Sequence, residues 1–227
     1  AFDQFLDEHQ FDLLHATHLK RVFPLLPLAR RRHMKIVLHL TNYWMICPKV
    51  TLRRLDDSLC DGPDLGRNCR QYCFPQVEND TLRRYQYSQK SLQLADVVIS
   101  PSQFLIDTFQ KSQADTSRFV HSRHGFDYGK VTFYKKGELA QAGRLTFGFL
   151  GTVLPHKGVH TLIDAFRQVP GEHLRLKIYG GSFHRQDYYQ ELQLLQAGDT
   201  RIEFCGEYDF DNVAAVLQDI DVIVAPS

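Results

Sequence analysis

The sequence predicts an α/β fold with parallel sheets, arranged as two successive lobes. Short β-branched apolar runs alternate with helical patterns along the chain, an order that suits strands joined by crossover helices. In the most regular of these units, Leu145-Thr-Phe-Gly-Phe-Leu ends at Gly151 and gives way to Val159, Leu162, Ile163 and Phe166. Those four fall at i, i+3, i+4 and i+7, one apolar face of a helix. Residues 128–143 are polar and carry Lys130, Lys135, Lys136 and Gly137, a linker composition that sets a boundary near residue 142. The expected lobes are 1–142 and 143–227.

The 227 residues are enough to bury a core, and 43% hydrophobic with 23% charged residues is ordinary for a globular protein. A formal charge of +1 gives no argument for a nucleic-acid partner. No run of 18 apolar residues and no signal-peptide pattern occurs, so a cytoplasmic location is expected. Ala1 opens the chain without a Met on what reads as the tail of a helix (Phe2 to His9). Ser227 directly follows the strand pattern Ile220-Asp-Val-Ile-Val-Ala-Pro. Both ends suggest an internal piece of a longer protein.

In chain order, Phe11 to His15 reads as a short strand and Leu19 to Arg31 as a helix, which Pro24 and Pro27 disturb. Lys35 to Thr41 is a buried strand. Asn79 to Leu94 is a helix with Asn79 or Asp80 as N-cap. Ala95-Asp-Val-Val-Ile-Ser-Pro-Ser is a strand, after which Ser102 opens the helix Phe104 to Gln110. Leu174 to Tyr179 alternates as a strand and ends in Gly180 and Gly181. A helix over Asp187 to Gln196, a strand from Arg201, a short helix over Val213 to Leu217 and a strand over Val222 to Ala225 complete the pattern. Cys205, placed in a strand, is expected to pack rather than react.

Two stretches point to chemistry. The turn Gly151-Thr-Val-Leu-Pro-His-Lys-Gly brings Lys157 to a helix N-terminus, where free amides and the helix dipole attract an anion. It reads as a seat for a phosphate or diphosphate, or as an ordinary strand–turn–helix corner with a solvated lysine. It is neither a G-x-x-x-x-G-K-[ST] loop nor a G-x-G-x-x-G fingerprint. The other stretch is the loop from Cys47 to Cys73, where Cys47, Cys60, Cys69 and Cys73 are spaced C-x12-C-x8-C-x3-C. Four thiols in a loop without a core of its own suit a structural zinc, although paired C-x2-C knuckles are lacking. Disulfides are disfavoured in a cytosolic setting.

The string from Gly151 through His156-Lys157-Gly158 to Leu162-Ile163-x-Ala165-Phe166 resembles the signature that opens the C-terminal lobe of family 4 glycosyltransferases. These are retaining enzymes of the two-lobed GT-B fold, and both Rossmann-like lobes would be incomplete here. The resemblance extends to His15-Ala-Thr-His, to Asn42-Tyr-Trp-Met-Ile-Cys-Pro, to D-V-V-I-S-P-S-x-F from Asp96, and to His124-Gly-Phe-Asp, similar to an N-G-[VI]-D loop. The Cys-rich loop is similar to one found in a bacterial branch of the family.

The resemblance implies sugar transfer from a nucleotide-diphosphate sugar to a glycan or lipid-linked acceptor, of the kind used in bacterial polysaccharide assembly. That setting allows a peripheral membrane contact at the inner face. Lys157 would stabilise the diphosphate, and Gly151, Thr152, His156, Gly158, Gly180, Gly206, Glu207 and Tyr208 would line the donor site, with no cofactor needed for catalysis. Thr152 stands where the family usually has Arg, Thr41 where it has His, and Asn42 where it has Asp. His39, two residues before Thr41, falls on the same side by strand alternation. It either takes part in an N-lobe site with Thr41 and Asn42 or is a satisfied core histidine. The absent parts would hold the first strands, a Gly-rich loop and an E-x7-E motif. The competing readings are a degenerate homologue or fragment that only binds nucleotide, and a zinc-stabilised interaction module.

Overall fold

Strand and helix alternate as the sequence predicts, in a computed structural model that describes residues 2–17, 19–76, 80–125, 143–182 and 185–226. The chain divides into two compact units, Ala1–Gly125 and Phe126–Ser227. The expected boundary near residue 142 and the linker before it fall outside the described residues, as do His18 and the N-cap candidate Asn79.

In the first unit, α1 (Phe2–Glu8) leads to β1 (Leu13–Ala16), then α2 (Leu19–Val22) and α3 (Leu26–Arg31), then β2 (Lys35–His39). After the Cys-rich segment come α4 (Arg67–Tyr72), α5 (Asp80–Gln93), β3 (Val97–Ser100), α6 (Gln103–Lys111) and β4 (Phe119–His121). The strands form one sheet in the order β1-β2-β3-β4, parallel throughout. Ile36, Leu38 and Val98 from the sheet pack with Leu26, Leu92 and Phe109 from the helices in one buried core. Ser102 caps α6, its hydroxyl accepting from Leu105 N at 3.2 Å.

Three expectations are amended here. The helix foreseen over Leu19 to Arg31 is cut by a 3-10 turn at Phe23–Leu25, and a proline stands at the opening of both the turn and α3. Proline has no amide to continue the preceding helix but suits a first turn. The strand starts at Leu13 rather than Phe11, whose ring stacks on Phe5 of α1 at 5.8 Å. The Cys-rich loop is not devoid of structure: a 3-10 turn at Asp64–Gly66 runs into α4, which carries Cys69.

The second unit contains β5 (Leu145–Leu150), α7 (Val159–Arg167), β6 (Leu174–Tyr179), α8 (Gln186–Gln196), β7 (Ile202–Gly206), α9 (Val213–Gln218) and β8 (Val222–Ile223). Val159, Leu162, Ile163 and Phe166 are all buried, as their spacing requires, against Phe149, Leu176, Ile178 and Leu192. The sheet order is β7-β6-β5-β8, all parallel. The chain moves outward from β5 through β6 to β7, then returns to place β8 on β5's free side. That reversal makes a crevice beyond the carboxyl ends of β5 and β8, the place where parallel α/β sheets receive ligands.

The same device anchors a strand in each sheet. Asp96, just before β3, donates its amide to Ile36 O at 2.8 Å while its carboxylate accepts from Ile36 N at 2.8 Å. Asp221, just before β8, does the same with Thr146: amide to carbonyl at 2.8 Å, and Thr146 N to carboxylate at 2.8 Å. The sequence around them repeats, Asp-Val-Val-Ile-Ser-Pro-Ser at 96–102 and Asp-Val-Ile-Val-Ala-Pro-Ser at 221–227. Arg30 also binds Asp96 at 3.1 Å, and the Ile36 amide together with Arg30 holds the carboxyl below its ordinary value of 3.8. A depressed carboxyl contributes stability that is complete above the unfolded value and is lost as pH falls through the folded one. Asp96→Asn should therefore lower the urea midpoint near neutral pH and shrink the loss of stability between about pH 5 and pH 2. Equal acid dependence in the two proteins would refute the assignment.

Candidate functional site

The crevice of the second unit is rimmed by the segments that leave β5, β6 and β7, and backbone hydrogen bonds stitch these together. Gly151 N donates to Tyr179 O at 3.0 Å, Val153 N to Gly181 O at 2.9 Å, and Gly180 N to Gly206 O at 2.7 Å. The rim depends on close backbone approach. A Cβ on Gly180 would lie 1.8 Å from Gly151 O, at a φ of +143° that already favours glycine. Gly181 is likewise covered by Glu207, whose Oε1 would lie 1.9 Å from an added Cβ. Gly180 therefore shapes the rim through packing.

The turn after β5 runs through half-buried Gly151 and Thr152 to a 3-10 turn at Pro155–Lys157, where His156 and Lys157 are also half-buried. Gly158 then enters α7 in the left-handed conformation, with φ +70°, and a Cβ there would lie 3.0 Å from Pro226 O, in the segment after β8. The two sides of the switch point thus meet at Gly158. The expected free amides are partly engaged: Lys157 N donates to Leu154 O at 2.9 Å, and Gly158 N to Pro155 O at 3.1 Å. His160 N donates to the Tyr188 hydroxyl at 3.3 Å, and the same hydroxyl lies 2.8 Å from His160 Nδ1. Positive charge is what the turn still offers. Among the described residues no carboxylate forms an ion pair with Lys157. Its ammonium stands at the positive end of α7.

At the other end of the rim, Glu207 is exposed and Tyr208 half-buried, with the Tyr208 ring edge-on to Tyr179 at 6.2 Å. Tyr179 belongs to a polar row that the sequence reading passed over. Its hydroxyl donates to Asp219 at 3.4 Å, and Lys177 pairs with Asp219 at 2.6 Å. The alternation of β6 gives the signal, since Leu176 and Ile178 face the core and leave Lys177 and Tyr179 on the opposite face. Burial and nearby Cys205 push the Tyr179 hydroxyl well above its ordinary value. Cys205 itself is half-buried rather than buried, and burial raises its thiol.

In the first unit, β2 ends at His39, so strand alternation does not carry on to Thr41. Thr41 and Asn42 are exposed, and Asn42 Oδ1 is taken by Trp44 N at 2.8 Å in a local turn. His39 is half-buried and its Nε2 is buried without a hydrogen-bond partner among the described residues, unlike a satisfied core histidine.

The Cys-rich segment gathers its four thiols. Burial pushes Cys69 up to about 11, and Cys47, Cys60 and Cys73 all act on it electrostatically. Lys49 and Arg54 act on Cys73, and Arg84, stacked on Trp44, acts on Cys69. All four are free thiols, and among the described residues no three His, Cys, Asp or Glu side chains are placed to hold one metal ion.

Residues 144–227 match the family described as "Glycosyl transferases group 1". No curated protein matches the sequence. The fold is shared over the whole chain with Anabaena HepE in complex with UDP (20% identity, TM-score 0.70) and with the same protein bound to UDP-glucose (20%, 0.65). It is shared equally with sucrose-phosphate synthase from Thermosynechococcus elongatus (19% identity, TM-score 0.69). Each match covers 100% of this chain but only 55%, 55% and 53% of the other, so the chain spans about half the length of these structures. Residues 144–227 thus resemble the group 1 glycosyltransferases, and the chain as a whole has the two-sheet α/β fold of about half the length of these GT-B structures.

Proposed function

We propose that this protein serves in retaining transfer of a hexosyl group from a nucleotide-diphosphate sugar to a glycan or lipid-linked acceptor, with the donor diphosphate seated on the turn Gly151–Gly158. The observation that carries this reading is the position of Lys157. It lies within the family-matched segment, at the N-terminal end of α7, beside the β5/β8 switch point, and without a carboxylate partner among the described residues. The ligands named for the Anabaena structures, UDP and UDP-glucose, support a nucleotide donor.

In this reading Lys157 and the α7 dipole stabilise the charge that grows on the departing diphosphate. Gly151 and Gly158 let the backbone approach the phosphates, Thr152 and His156 flank them, and Tyr208 and Glu207 bound the nucleoside side of the rim. Lys157 supplies positive charge at the place where a divalent cation acts in other phosphate-transfer sites. Among the described residues no helix is long and apolar enough to cross a membrane. Contact with a lipid-linked acceptor would therefore be peripheral as far as these residues go.

Calorimetric titration of the 227-residue chain with UDP, GDP and ADP tests this. One diphosphate should bind, and Lys157→Ala should weaken it about ten- to a hundredfold, the value of a charge-assisted hydrogen bond of roughly 1.5–3 kcal/mol. Unchanged affinity in the variant would remove Lys157 from the role. Binding without turnover would favour a nucleotide-binding protein over an enzyme.

A second reading, a zinc-stabilised module, draws on the four thiols gathered within electrostatic reach of one another beside Lys49, Arg54 and Arg84, cations that would offset thiolate charge. Zinc would need the sulfurs to draw together, since they do not converge here. Stoichiometric zinc in the purified chain, lost together with thermal stability in Cys69→Ser, is the expected result. Metal-free protein of unchanged stability would exclude the module.

A further inference from the structure

Three imidazoles line up at one edge of the first unit: His15 on β1, His39 at the end of β2, and His124 just after β4. The His15 and His39 rings stack 5.8 Å apart with planes 3° from parallel, and the His39 and His124 rings 5.1 Å apart at 22°. His15 and His124 are exposed and His39, stacked between them, is half-buried, so the row reaches solvent through its outer members. The middle ring is the one with an unmet need, because its Nε2 is buried without a partner among the described residues. A buried polar nitrogen left unbonded is costly, and a hydrogen-bonding ligand removes that cost.

Geometry narrows what that group is. Stacked rings send their in-plane nitrogen lone pairs side by side rather than toward one point. They do not chelate a single metal ion, and among the described residues no metal-holding cluster occurs. The charges that act on His39 are those of His15 and His124, and no carboxylate is among them. From its other side β2 is packed by β3, whose Val97, Val98, Ile99 and Ser100 carry no titratable group. Arg123 adjoins His124 in the chain. Burial, then His124 and His15, lower the His39 pKa from 6.5, so its cation is disfavoured while no counter-charge is present. The row combines three imidazoles with a buried Nε2 that no described residue bonds.

We infer that His15, His39 and His124 form an oxyanion-binding site on the first unit, one that takes the phosphate or carboxylate of an acidic acceptor. Only the word acceptor rests on the glycosyltransferase reading; the oxyanion site stands on the histidine row. A bound oxyanion accepts a hydrogen bond from His39 Nε2–H, and its negative charge offsets the mutual repulsion of neighbouring imidazolium charges. Binding therefore takes up protons and tightens as pH falls through the imidazole range.

The test is an NMR titration of the imidazole signals of the 227-residue chain with inorganic phosphate and, separately, with glucuronate. The three histidines should shift together and saturate. Binding should be about tenfold tighter near pH 6 than near pH 8, and the His39 pKa should rise on saturation. His15→Gln and His124→Gln, both at exposed positions, should each weaken binding severalfold, and Lys157→Ala should leave it unchanged. A response to phosphate alone identifies a phosphorylated ligand, and a response to glucuronate alone an acidic sugar; either supports the site. Unmoved histidine signals with both anions would overturn it. So would a response that Lys157→Ala abolishes and the histidine variants spare, since that belongs to the turn after β5. Loss of UDP binding with the histidine response intact would instead count against the donor reading alone.

Discussion

An aspartate that holds the neighbouring strand by both its amide and its carboxylate is the contact on which each sheet depends. Asp96 fixes β3 against Ile36 of β2, and Asp221 fixes β8 against Thr146 of β5. Parallel strands have no hairpin to set their register, so a local clamp at the strand entrance does that work. In the second unit the clamped pair is the pair that makes the switch point, and the crevice beyond it exists because β8 is held on β5.

From that clamp the site follows by short steps. With β5 and β8 in register, the segment ending at Pro226 reaches Gly158 and closes the corner where α7 begins. With β5 and β6 in register, Gly151 and Gly180 meet backbone to backbone, which only glycine at 180 allows. Lys157 is thereby held on a 3-10 turn where the Lys157 and Gly158 amides are already engaged, so the turn offers a cation and a helix dipole more than a ring of free N–H groups. The opposite end of the rim is secured by charge: Lys177 and Tyr179 hold Asp219, and the Tyr179 ring meets that of Tyr208.

The two units use their strand ends differently. The second concentrates lysine and glycine at one corner, a pattern suited to a diphosphate. The first aligns three imidazoles with no carboxylate acting on the middle one, a pattern whose affinity for anions depends on pH. The anion sites proposed for the two units would then differ in kind, a lysine at a helix N-terminus in one and a row of imidazoles in the other.

The sequence alone determined what is local and periodic. The apolar face Val159–Leu162–Ile163–Phe166, the alternation of β6 and the Ser102 cap all depend on neighbours a few residues away, and all were legible. The α/β class followed from the same patterns, and the resemblance around Lys157 pointed to the family whose description residues 144–227 match. Tertiary structure decided whatever depends on which distant groups meet. That Gly180 packs its backbone against Gly151 O, and that His39 Nε2 has no partner among the described residues, could not be read from the chain. The histidine row joins residues 15, 39 and 124, which only the parallel pairing of β1 to β4 brings together. Spacing along the chain cannot disclose such a meeting, because it is fixed by strand order, and strand order by long-range pairing that local propensity does not encode.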